Sequence, residues 1–172
     1  VFRSSLEGLL HVASFPHDMR LSILAGIADA IPALSPTERA TFRLDSVLDA
    51  GLAVVHIRYS GVLNDKLHGF YRTTFTDADG QRRVAGSTQF EATHARRAFP
   101  CWDEPDLKAT FSVTLDVPDG ELAISNAREL GRERLGHGKV RFRFAETIRM
   151  STYLVAFVVG PFEATEPVDV RG

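Results

Sequence analysis

Two side chains able to do chemistry stand two residues apart, Gln89 and Glu91. One is an amide that both donates and accepts, the other a carboxylate that only accepts when ionised. If the strand pattern persists there, side chains at this spacing share one face. Glu91 also falls where that pattern stops and helix formers begin, a place from which a side chain can project from a rigid edge into a cleft. An isolated Gln-x-Glu at a strand end is ordinarily a solvated face, so the pair alone leaves a binding site and plain surface both open. Downstream, Asp103, Glu104 and Asp106 gather carboxylates of the kind hard cations favour, but no further ligand accompanies them in sequence. With Arg96 and Arg97 nearby, the alternating signs around Phe99-Pro100-Cys101-Trp102 read as a packed connector braced by ion pairs. His94 has neither a second histidine at helical spacing nor a neighbouring pair of cysteines, so it reads as a packing or surface residue rather than a zinc ligand. His11, His17, His56, His68 and His137 are equally scattered. Cys101 would need a partnered base and a depressed pKa to act as a nucleophile, and a small buried hydrophobe is the better reading. Trp102 and the 12 phenylalanines are core and interface material.

The elements that must position these residues are strands. From Arg39 onward apolar and polar residues alternate with period two. Ala40, Phe42 and Leu44 face one way, and Leu52 to Tyr59 follows the turn residues Asp49-Ala50-Gly51, which predicts a hairpin. A second hairpin is predicted from Phe70 to Thr76 and Arg82 to Phe90, around Asp77-Ala78-Asp79-Gly80, because Asp-Gly supplies the positive φ of a tight turn. Phe111 to Val117 ends at Pro118-Asp119-Gly120 and is answered by Leu122 to Ser125. A glycine-rich stretch, Gly131 to Gly138, separates these from Val140, Phe142 and Phe144. Ser151 to Phe162 is apolar on both faces, as expected of a strand that is central in its sheet or covered on both sides. The fold class predicted is all-β, an antiparallel sandwich or saddle-shaped assembly of sheets over residues 31–172. Residues 1–30 stand apart: Leu6, Leu9 and Leu10, then Leu21, Ile23, Leu24 and Ile27, are spaced closer to helical than strand period, with Pro16 interrupting.

At 172 residues the chain suits one domain, and 44% hydrophobic with 24% charged residues is ordinary for a globular protein. A net charge of −2 with interspersed signs gives no basic footprint for a nucleic acid. The longest apolar run, Tyr153 to Phe162, is well short of the roughly 20 residues of a membrane helix. Cys101 is the single cysteine, which excludes an internal disulfide and suits a reducing compartment. The start, with Glu7 inside its apolar stretch, lacks the look of a signal peptide, so a cytoplasmic location is the expectation. Lysine occurs at Lys66, Lys108 and Lys139 among 20 basic residues, an arginine bias that suggests a GC-rich bacterial source.

The run from Gly86 to Pro105, Gly-Ser-Thr-Gln-Phe-Glu-Ala-Thr-His-Ala-Arg-Arg-Ala-Phe-Pro-Cys-Trp-Asp-Glu-Pro, resembles a segment near the end of the first domain of the aminopeptidase N family of zinc metallopeptidases. The resemblance continues through Lys108-Ala109-Thr110-Phe111 and Met150 to Phe157, and upstream at Tyr59 to Asp65 and Gly69 to Arg72. It implies an amino-terminal β-domain in which Gln89 and Glu91 hold the free α-ammonium of a peptide substrate. A carboxylate forms charge-assisted hydrogen bonds to an ammonium, stronger than neutral ones in a partly desolvated cleft, and the amide accepts a further proton without adding charge. Such a pair admits only peptides with an uncapped amino end, which makes an exopeptidase. The partners implied are such a peptide and a catalytic domain.

That family's zinc chemistry depends on a Gly-Ala-Met-Glu-Asn-type loop and a His-Glu-x-x-His helix, whose histidines hold the metal while its Glu acts as base. Neither motif occurs between Val1 and Gly172. The expectation is that this polypeptide alone holds no catalytic residue, binds no zinc and hydrolyses nothing, the zinc belonging to the intact enzyme. An alternative is a non-catalytic β-module serving as a docking surface, since fold does not fix function. A His-Glu-x-x-His downstream of Gly172 in the same reading frame separates the two.

Overall fold

The computed structural model describes residues 61–165 together with three strands, β1 (Arg3–Ser4), β2 (Gly8–His11) and β3 (Val54–Ile57). Within 61–165 follow β4 (Gly61–Val62), β5 (Gly69–Thr76), β6 (Arg82–Gln89), β7 (Thr114–Pro118), β8 (Leu122–Ser125), β9 (Glu129–Gly136), β10 (Lys139–Phe144) and β11 (Phe157–Gly160). Every ladder between named strands is antiparallel, so the domain is all-β, as the alternation predicts. Among the described residues no helix is long and apolar enough to cross a membrane.

The β5–β6 hairpin forms where the Asp-Gly signal places it, with a ladder running from Thr76↔Arg82 to Gly69↔Gln89. Asp77 locks its turn. The carboxylate accepts the backbone N–H of Asp79 and of Gln81 at 3.1 and 2.8 Å and the Arg83 Nε–H at 2.7 Å. The Arg83 hydrogen bond, with that of the Gln81 N–H, holds the Asp77 carboxyl below its usual range. Gly80 takes the positive φ, 76°, that the turn requires.

A four-stranded sheet of order β5-β6-β11-β8 faces a three-stranded one of order β7-β10-β9. Leu115, Val117, Phe142 and Phe144 from one and Ala123 and Phe157 from the other meet in a single buried cluster, the arrangement of a sandwich. β11 lies between β6 and β8, a central position in the sheet. It is shorter than predicted, because Thr152–Leu154 is a 3-10 turn. The buried hydroxyls of Ser151 and Thr152 donate to the carbonyls of Pro105 and Trp102 at 2.6 and 2.8 Å, side-chain bonds that compete with a ladder.

Three expectations are corrected. The turn Pro118-Asp119-Gly120 does not make β7 and β8 partners: β7 pairs with β10 and β8 with β11, so the turn carries the chain from one sheet to the other. The glycine-rich stretch Gly131 to Gly138 is no spacer, since Glu129–Gly136 is strand β9, which hairpins to β10 through Gly136-His137-Gly138, all at positive φ. β9 is an exposed edge held by backbone pairing and by ion pairs such as Glu133 with Arg143 at 2.8 Å, and such a strand needs no apolar alternation to form. Finally, Leu9 and Leu10 are in strand β2, paired to β3 from Gly8↔Ile57 to His11↔Val54. Gly8 disfavours a helix there, and the β-branched run of β3 offers a ladder. β3 lies inside the predicted strand Leu52 to Tyr59. The predicted strand at 40–45, Pro16 and the leucine-rich stretch at 21–27 lie outside the described residues.

Packing between β6 and β11 leaves no room at Gly160. A Cβ there would sit 2.8 Å from the Phe162 ring and 2.9 Å from Ala85 Cβ. Gly160→Ala is therefore expected to lower stability by roughly 1–3 kcal/mol through overpacking, read as a lower urea midpoint at unchanged slope.

Candidate functional site

β6 ends at Gln89, whose ladder partner Gly69 opens β5. Gly69 has φ +72, and a Cβ there would lie 3.0 Å from Arg97 Cβ. Glycine thus lets the end of the hairpin approach the 3-10 turn Ala95–Arg97. Beyond Gln89 the ladder stops, so Glu91 is not a strand residue. The alternation of exposure nevertheless runs one step further: Gln89 and Glu91 are exposed, while Phe90 between them is only 2% exposed. The Glu91–Ala92 peptide is cis. The His94 N–H donates to the Phe90 carbonyl at 2.8 Å, closing a turn that leads into the 3-10 segment.

Aromatic rings hold that corner. Phe90 packs edge-on against Phe99 and Phe157, with centroids 5.7 and 6.1 Å away, and Phe157 packs in the same way against Phe70 at 4.9 Å. The strand end, the connector and the central strand are thus tied at one point.

An ion pair between Arg96 and Asp103 braces the connector. Arg96 Nε donates to Asp103 Oδ2 at 2.8 Å, the Arg96 backbone N–H reaches the same oxygen at 3.2 Å, and Arg96 Nη2 reaches the Asp103 carbonyl at 3.3 Å. The Asp103 side chain is 4% exposed, and its burial is tolerable because those hydrogen bonds satisfy it. Arg97 donates its Nε–H to His94 Nδ1 at 3.1 Å. Glu104 and Asp106 are exposed and form no ion pair among the described residues. His94 lies against His68, ring centroids 4.8 Å apart, as a packing histidine does. Among the described residues no three His, Cys, Asp or Glu side chains gather as a metal site.

Cys101 is partly buried against the core. Burial, and then the Asp103 charge, push its thiol up to about 12 despite the opposing Arg96; a thiolate nucleophile is scarce at neutral pH. Because the folded value exceeds the unfolded one, the neutral thiol's contribution to stability is complete below about pH 9 and is lost as pH rises towards 12. Urea unfolding across that window should show a loss in the wild type that is smaller in Cys101→Ala.

Sequence reasoning picked out Gln89 and Glu91 but missed Gly69 and Phe90, which hold the rim they stand on. A signal for Phe90 was present, one apolar residue between two polar ones where the strand pattern runs out.

The family model for the peptidase M1 N-terminal domain matches residues 30–154. The chain is similar to aminopeptidase M1-A of Oryza sativa subsp. japonica, 44% identical over 130 residues that make up 76% of the chain and 15% of that protein. It is also 42% identical over 118 residues to human endoplasmic reticulum aminopeptidase 1, covering 69% of the chain and 12% of that protein. Puromycin-sensitive aminopeptidase of Caenorhabditis elegans is 43% identical over 124 residues, covering 72% and 13%. The chain thus spans a small part of the length of the relatives it matches, and it belongs to the family of peptidase M1 N-terminal domains.

Proposed function

We propose that this chain is the amino-terminal domain of a zinc aminopeptidase that removes amino-terminal residues from peptides, and that Gln89 and Glu91 receive the substrate's α-ammonium. The observation that carries the reading is the pair of exposed polar side chains flanking buried Phe90 at the end of β6, outside any ladder beyond Gln89. A carboxylate fixed at such a rim can make charge-assisted bonds to an ammonium presented from a neighbouring domain, and the Gln89 carbonyl can accept a further one. No step of this reading runs through a metal held by the described residues. Zinc and the hydrolytic base belong to the rest of the enzyme, and the isolated 172-residue chain is expected to release no product.

The test is amine dependence. The complete enzyme should release the first residue of a short peptide and leave the same peptide untouched when its amino group is acetylated, because acetylation removes both the charge and the donors that the pair recognises. Comparable cleavage of the two peptides would refute amine recognition.

A further inference from the structure

The last ladder pair of the β5–β6 hairpin is Gly69↔Gln89, so cross-strand hydrogen bonds fix Gln89 but not Glu91. What lies between them is Phe90, buried to 2%. Its ring is held edge-on by Phe99 of the connector and Phe157 of the central strand, and its carbonyl accepts the His94 N–H at 2.8 Å. These contacts set the direction of the chain where Glu91 leaves the sheet. We infer that Phe90 is a positioning residue: its ring, clamped by Phe99 and Phe157, holds the Glu91 carboxylate where the substrate's ammonium arrives. The inference rests on the amine-recognition reading and extends it to a residue that touches no substrate.

The physical argument is one of precision. A carboxylate beyond the end of a ladder, on a backbone free to fray, samples many positions, and binding must then bear the entropy of fixing it. A displacement of about 1 Å can cost on the order of a hundredfold in rate. Leucine at position 90 keeps an apolar plug but loses the edge-on ring contacts, so the plug can shift without emptying the core.

The experiment is a double-mutant cycle in the complete enzyme, with kcat and KM measured on a free-amine dipeptide anilide for wild type, Phe90→Leu, Glu91→Ala and the double variant. Phe90→Leu should lower kcat/KM about tenfold with Glu91 present and less than about twofold in the Glu91→Ala background. Thermal unfolding of each variant identifies the folded fraction used in the assay. Phe99→Leu, which removes one jaw of the clamp from a half-buried position, should repeat the pattern and keeps the test open should Phe90→Leu fold poorly. An equal loss in both backgrounds overturns the positioning role and leaves amine recognition standing. If Glu91→Ala alone changes nothing, the amine-recognition reading falls and takes this inference with it.

Discussion

Glu91→Ala in the complete enzyme is expected to lower kcat/KM by roughly 30-fold to several thousandfold, which corresponds to roughly 2–5 kcal/mol for truncating one partner of a desolvated charge pair. Glu91 is solvent-exposed in this domain, so the size of the effect depends on desolvation by substrate and catalytic domain. An exposed pair in water is worth less than about 1 kcal/mol, and a loss of only that order would mean that the carboxylate stays wet when substrate binds. The loss should fall on peptides with a free amine and be carried largely by KM if the ammonium is held equally in ground and transition states. Glu91→Gln separates charge from shape: it keeps an acceptor oxygen but removes the charge, and should recover only part of the activity. Unchanged kcat/KM in Glu91→Ala would remove Glu91 from the site.

The second large effect concerns the scaffold. Phe157→Ala is expected to lower the stability of the domain by roughly 3–5 kcal/mol, the range for truncating a buried aromatic. Among the described residues Phe157 is one of the two largest fully buried side chains, and it stands on β11, between β6 and β8. Its ring meets Phe70 at 4.9 Å and Phe90 at 6.1 Å, so its loss opens a cavity bordered by β5 and by Phe90, the residue that follows Gln89 at the end of β6. The backbone bond from the Phe157 N–H to Thr88 Oγ1 at 3.1 Å survives the substitution, and the sheet register should be kept. Urea unfolding followed by circular dichroism measures the change. A shift below about 1 kcal/mol would show that neighbouring rings collapse into the space, since the penalty depends on how well a site can close.

Charge pairing on the outer face of the other sheet is a weaker contributor. Arg141 grips Asp116 with two hydrogen bonds of 2.7 Å and holds that carboxyl below its usual range, yet the pair is partly exposed and screened. The core rings, rather than these surface pairs, set the stability on which the rim depends.

Much of this protein was legible before folding. Period-two alternation with Asp-Gly at 79–80 determines the β5–β6 hairpin, because a tight turn needs positive φ and the ladder follows from it. The apolar run at 151–162 pointed to a central strand, and β11 is paired on both edges, to β6 and β8. The resemblance carried by the run from Gly86 to Pro105, rather than the pair alone, marked Gln89 and Glu91 as candidates. Tertiary structure decided what local pattern could not. Strand β9 is polar and glycine-rich, and forms because β10 offers its backbone, a partner no local window contains. The turn at 118–120 carries the chain between sheets instead of closing a hairpin, a choice made by which buried faces must meet. Asp103 is paired with Arg96 because its carboxylate is buried, and buried charge must find its partner where exposed charge need not. The same holds at the rim. The family resemblance, not residue type alone, suggests Glu91 for an ammonium, and the rings at positions 99 and 157 that flank its place beyond the last ladder pair are brought together only by the folded chain.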